Sequence, residues 1–106
     1  MGTFDEREKA FEGKFAHDQE VQFAARARRN KLIGLWAAAK LGLSGAAAET
    51  YAKEVVAADL QHSGDGDVIA KLKADLAAQK ISVSQSELVT VLDQMMQKAK
   101  QQMAQG

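Results

Sequence analysis

No proline occurs anywhere in the 106 residues of this chain. Proline breaks helix interiors and serves turns, so its complete absence leaves long helices free to form. Alanine is abundant and β-branched residues are few, which points the same way. The expectation is an all-α protein. At this length one domain should bury roughly two-thirds of its unfolded surface. The absence of cysteine excludes a disulfide framework, thiolate zinc sites and thiol catalysis. The N-terminus is acidic and helix-like, without an apolar core of the secretory kind. No apolar stretch approaches the ~20 residues that a membrane span needs. A soluble, intracellular chain is therefore expected.

Fourteen basic and fourteen acidic side chains balance overall, which removes the crude electrostatic case for nucleic acid or an anionic membrane. The charge is nonetheless segregated. Residues 1–20 carry a net −3, residues 21–40 a net +5 with no acid, residues 41–70 a net −4 and residues 71–106 a net +2. Such alternation suits helices that pack side by side or meet a patterned partner.

Thr3-Phe4-Asp5-Glu6 has the form of a capping box and opens a helical pattern. Phe4, Phe11 and Phe15 then fall on one narrow stripe. At ~100° per residue that line next meets Gln22, Arg26 and Arg29. All three are polar, so the apolar stripe ends there. A second stripe runs through Val21, Ala25, Leu32, Trp36, Ala39 and Leu43, rotated about 80° from the first. The change of face predicts that the first ~16 residues address a different partner from residues 20–43. Gly13 lies between the rings and weakens a helix by about 1 kcal/mol relative to alanine. The arm is thus expected to be helical only conditionally.

Glycines and a serine at Gly42, Ser44 and Gly45 punctuate the pattern. The next helix has Ala48, Tyr51, Val55 and Ala58 on its inward side and stops at His62-Ser63-Gly64. Another begins after Asp65 or Asp67 as N-cap, with Ile69, Leu72 and Leu76 as its stripe. The clearest start signal is the last: Ser84 as cap, Glu87 three residues on, and Val83 facing Leu88 as a hydrophobic staple. Its inward residues are Leu88, Val91, Leu92, Met95, Ala99 and Met103. The fold expected is a four-helix bundle over residues 17–106, preceded by a mobile arm over residues 1–16.

Catalytic constellations are missing from the sequence. The two histidines, His17 and His62, show no metal-ligand spacing and read as surface residues. Asp65-Gly66-Asp67 resembles a scrap of a calcium loop, but Leu76 stands where the bidentate glutamate is needed. Neither a phosphate-binding glycine loop nor a nucleophile elbow is present. The chain reads as a non-enzyme with no cofactor and no metal.

Two groups of residues remain. The run Arg26-Ala27-Arg28-Arg29-Asn30-Lys31 could meet a phosphate backbone. It lacks interleaved aromatic residues and lies between acidic segments. A solvated helix flank with intramolecular ion pairs explains it better, and no nucleic-acid partner is expected. The Phe4/Phe11/Phe15 stripe reads either as ordinary core or as a detachable arm that docks its aromatic side in a partner's groove. Trp36 and Tyr51 lie on inward stripes and read as packing residues.

Several long segments resemble a known family. The stretch from Thr3 to Asp18 is similar to the N-terminal signature of the zeta subunits, which are inhibitors of the F-type ATP synthase in alphaproteobacteria. The resemblance continues from Ala27 to Ala38, from Leu41 to Gly45 and from Tyr51 to Asp59. Beyond about residue 60 only the helical pattern agrees. The segment from His62 to Asp67 is less acidic than the family suggests.

The resemblance implies a four-helix bundle whose arm blocks ATP hydrolysis by the catalytic head, at an interface between an alpha and a beta subunit near the gamma subunit of the central stalk. Phe4, Phe11 and Phe15 would be the apolar anchors. Arg7, Glu8, Lys9, Glu12 and Lys14 would make polar and ionic contacts, with Thr3 and Asp5 completing the set. The chain would be a monomer when free, cytoplasmic, and peripheral to the inner membrane through the ATP synthase without inserting into it. A competing reading is a small helical adaptor unrelated to ATPase, using the same arm on another protein.

Overall fold

The structure, a computed structural model, describes the backbone of residues 2–61 and 65–105 and the side chains of residues 19–59 and 65–104. Four helices follow one another: α1 (Gly2–Lys40), α2 (Gly45–Gln61), α3 (Gly66–Ala78) and α4 (Gln85–Gln105). None of the described residues is in a strand. The all-α expectation of four helices holds. The backbone of residues 2–16 forms the first part of α1.

A helix of 39 residues is about 58 Å long at 1.5 Å per residue. It sets the 65 Å long axis of the molecule, whose other extents are 25 and 22 Å. The radius of gyration of 17.4 Å exceeds the ~13 Å of a compact domain of this size for the same reason. Helices α1 and α2 run antiparallel, since Arg26 meets Asp59 and Lys31 meets Glu49. Likewise α2 and α3 are antiparallel, with Tyr51 on Asp75 and Glu54 on Lys71. Arg28 reaches Gln102 and ties α1 to the C-terminal part of α4.

The core gathers Ile33, Ala37 and Ala38 of α1, Tyr51 and Val55 of α2, Val68, Leu72 and Leu76 of α3, and Leu88, Val91 and Leu92 of α4. The inward residues of α4 match the sequence reading, with Ala99 buried and Met95 and Met103 half-buried. Its cap also matches: the Glu87 amide donates to Ser84 Oγ at 3.0 Å, and Val83 packs on the cluster that holds Leu88.

The inward face of α1 differs from the expected stripe. Ala25 is buried, but Val21 and Ala39 are exposed, and Leu32, Trp36 and Leu43 are only half-buried. The buried positions are Ala25, Arg29, Asn30, Ile33, Gly34, Ala37 and Ala38. Two causes act together. Small residues allow α2 close to α1, so that a Cβ on Gly34 would lie 2.8 Å from Ala52 Cα. Polar residues take inward places because α2 and α3 supply carboxylates for them. On ~100° steps the line through Phe4, Phe11 and Phe15 meets the exposed Gln22 and then Arg26, Arg29 and the buried Ile33. The reading of Arg26 and Arg29 as outward is corrected: among the described residues of α1 both belong to its inward side.

Helix ends follow local chemistry. At the end of α1 the Leu43 amide donates to Ala38 O at 2.8 Å and the Gly42 amide to Ala39 O at 3.2 Å. This is a Schellman motif, with Gly42 at φ 79°. The end of α3 has the same pattern: the Ile81 amide bonds to Leu76 O and the Lys80 amide to Ala77 O, both at 2.9 Å. Here the left-handed position is Lys80 at φ 62°, with no glycine to mark it in the sequence.

Candidate functional site

The positions singled out from sequence, Thr3, Phe4, Asp5, Arg7, Glu8, Lys9, Phe11, Glu12, Lys14 and Phe15, all fall on the first turns of α1. Their side chains lie outside the described residues, as do those of His17 and His62. The backbone alone fixes their register: Phe4, Phe11 and Phe15 fall within about 40° of one another on the helix. The first buried residue of α1 among those described is Ala25, ten positions or ~15 Å beyond Phe15.

A polar cluster holds α1 where it enters the bundle. Arg26 Nε and Nη2 donate to the two carboxylate oxygens of Asp59 at 2.6 and 2.7 Å. Asn30 Nδ2 donates to Asp59 at 2.8 Å. Arg29 Nε and Nη2 donate to Asn30 Oδ1 at 3.0 and 2.8 Å, and Arg29 Nη1 lies 3.0 Å from an Asp65 carboxylate oxygen. Arg26 Nη2 is 3.4 Å from the same Asp65. Arg29 is 4% exposed, Asn30 1% and Asp59 8%. Buried charges of this kind are tolerated only when paired and hydrogen-bonded, as these are.

Burial alone would raise the Asp59 pKa. The hydrogen bonds from Arg26 and Asn30 and the charges of Arg26 and Arg29 outweigh it and hold the carboxyl below its ordinary value. The hydrogen bond to Asp59 likewise raises Arg26 against its own burial. Asp65 occupies the N-cap position of α3 but makes no side-chain cap bond, because its carboxylate faces the two arginines. The cluster joins α1 to the end of α2 and the start of α3.

The basic run 26–31 is thus divided. Arg26 and Arg29 are committed to carboxylates within the fold, Arg28 reaches Gln102 at 3.3 Å, and Lys31 lies 3.6 Å from Glu49. The intramolecular ion pairs expected from sequence are present, but Arg29 is buried and not on a solvated flank. Tyr51 is a packing residue whose hydroxyl donates to Asp75 at 2.8 Å. Burial first, and then this carboxylate, push its pKa up. Trp36 is half-buried, with Lys40 Nζ 4.8 Å from its ring centroid.

One residue escaped sequence reading. Phe23 is 62% exposed on α1, about 100° from the line of the other three phenylalanines. Its signal was that it fits neither stripe. Among the described residues, no group of three His, Cys, Asp or Glu could hold a metal ion. No helix among them is long and apolar enough to cross a membrane.

Three comparisons bear on what this architecture belongs to. A solved structure determined by solution NMR is similar at 43% identity over 79% of this chain and 95% of that one, with a TM-score of 0.70. No curated protein matches the chain. The family model described as ATPase inhibitor subunit zeta matches residues 1–102. With nearly the whole length matched, the chain belongs to the family of ATPase inhibitor zeta subunits.

Proposed function

We propose that this chain inhibits ATP hydrolysis by an F-type ATP synthase, with residues 1–16 as the inhibitory arm and residues 17–106 as the bundle that carries it. The arm enters the catalytic head as a helix, at an interface between an alpha and a beta subunit and close to the gamma subunit. Phe4, Phe11 and Phe15 are the apolar anchors, and Thr3, Asp5, Arg7, Glu8, Lys9, Glu12 and Lys14 make the polar contacts. The chain acts as a regulator at the cytoplasmic side of the inner membrane, and not as an enzyme.

One observation carries this reading. The backbone of α1 runs on past Arg26, where the described pairing with the end of α2 stops, and Phe4, Phe11 and Phe15 share a line in register with Arg26, Arg29 and Ile33. A helical side that carries three aromatic residues on one line is suited to another protein's groove. The bundle also lowers the cost of docking. An isolated helix of about 14 residues is marginal in water because its nucleus is costly. Here the anchored part of α1 supplies that nucleus, so arm helix grows by propagation. Each ring contributes on the order of 2–3 kcal/mol when fully buried, against backbone ordering of about 1–2 kcal/mol per residue.

The test is ATP hydrolysis by the cognate catalytic head, titrated with the full chain and with a chain lacking residues 1–16. The full chain should inhibit and the shortened chain should not. Equal inhibition by both would overturn the role of the arm.

A further inference from the structure

On the side of α1 away from the aromatic line, the bundle carries an apolar surface that none of its own described helices covers. Phe23 is its most exposed large residue. Phe23, Ala27 and Val56 line a small cleft beside the Arg26–Asp59 pair. From there an open groove of about 620 Å³ continues along α1 and α2 over Ala27, Leu35 and Val56. A neighbouring hollow is formed by Lys31, Lys53, Val56 and Ala57. Val56 lies in all three, so they form one continuous surface.

The rim has a definite sign. Arg28, Lys31 and Lys53 border the two larger hollows, and Glu49 is the one carboxylate among their lining residues. Glu49 already lies 3.6 Å from Lys31. Asp59 borders the small cleft, but its oxygens accept from Arg26 and Asn30. An apolar floor inside a rim of net positive charge is complementary to an acidic segment that also carries apolar side chains. Once the arm is helical the surface stands in fixed register to it, because both lie on α1. Phe23 is eight residues beyond Phe15, ~12 Å along the axis. Whatever grips the arm holds this surface within a short distance of itself.

We infer that the α1–α2 face around Phe23 and Val56, rimmed by Arg28, Lys31 and Lys53, is a second docking surface that takes an acidic, apolar-bearing segment of the same ATPase. This rests on the arm reading above for the identity of the partner. Two contacts on one helix turn the second binding step into an intramolecular one, and overall affinity then exceeds that of the arm alone.

The experiment uses the full-length chain throughout. Hydrolysis by the purified catalytic head is titrated with Phe23→Ala, with the double variant Lys31→Glu/Lys53→Glu, and with Phe11→Ala/Phe15→Ala as the arm control. Binding to the immobilised head and the thermal midpoint are followed in parallel. Each surface variant should weaken inhibition about tenfold, with the charge reversal losing its effect at high salt and the midpoint little changed. The arm variant should lose inhibition yet keep weak binding, and adding Lys31→Glu/Lys53→Glu to it should remove that residue of binding. Surface variants that inhibit like the wild type beside a defective arm variant would overturn the second surface and leave the arm reading standing. A harmless arm variant beside defective surface variants would do the reverse. If the surface variants only convert a dimer of this chain to monomer, the occupant is a second copy and the inference falls.

Discussion

Replacing Asp59 with alanine isolates the contribution of the polar cluster. The substitution removes three hydrogen bonds of 2.6 to 2.8 Å, two from Arg26 and one from Asn30. Hydrogen bonds to a charged group are worth about 1.5–3 kcal/mol each, and they do not add. Removing one partner of a buried ion pair costs roughly 3–5 kcal/mol, because the other charge stays buried. Two features set the value near the lower end. The Arg26 side chain keeps 33% of its exposure and can be rehydrated, and Asp65 remains 3.4 Å away. Asp59→Ala should therefore cost about 3 kcal/mol, or roughly 12–20 °C in thermal midpoint for a domain of this size.

The assay is thermal and urea unfolding of the wild type, Asp59→Ala, Arg26→Met and the double variant, at a series of pH values. Arg26→Met and Asp59→Ala should be strongly coupled. Because the folded carboxyl titrates below its ordinary value, its stabilisation is present above the unfolded pKa, near 4, and is lost as pH falls through the folded pKa. The wild type and Asp59→Ala should thus differ most near neutrality and converge in acid. A cost below ~1 kcal/mol at neutral pH, or a gap that persists in acid, would refute the reasoning.

Gly34→Ala should destabilise, although alanine favours helix by about 1 kcal/mol. Its Cβ would meet Ala52 Cα at 2.8 Å, an overpacking cost of about 1–3 kcal/mol that a urea titration would read as a net loss. Lys80→Gly should stabilise by roughly 0.5–1 kcal/mol in the same titration, since it relieves a left-handed lysine at φ 62°. A fully buried indole at Trp36 would cost roughly 3–5 kcal/mol on truncation to alanine. The half-buried ring found here lowers that expectation to about 2 kcal/mol, measured by denaturant unfolding. Phe11→Ala or Phe15→Ala should weaken inhibition at least about tenfold in a hydrolysis titration. The thermal midpoint should stay nearly unchanged in both.

The helical class of this chain, most of its helix ends and the family it resembles were legible in the sequence. Those properties are local. Ser84 and Glu87 cap a helix with groups three residues apart, and Gly42 closes another because its own backbone tolerates a positive φ. The inward stripe of α4, and Leu72 and Leu76 of α3, were legible for the same reason: they are apolar and recur at helical spacing, whereas Val68 is buried in α3 where Ile69, which is half-buried, was expected.

Tertiary structure decided which side of α1 faces the core. Hydrophobic periodicity assigns charged residues outward, and it placed Arg26 and Arg29 there. Their inward position depends on Asp59 and Asp65, which are remote in sequence and arrive only when α2 and α3 pack. The close approach at Gly34 likewise needs Ala52 opposite it. The exposed Phe23 is the converse case. An isolated aromatic residue shows in the sequence only as a misfit to both stripes, and only the packed bundle shows that nothing in its described helices covers that face. Where a partner must come from another element, spacing along the chain carries no record of it, and packing makes the choice.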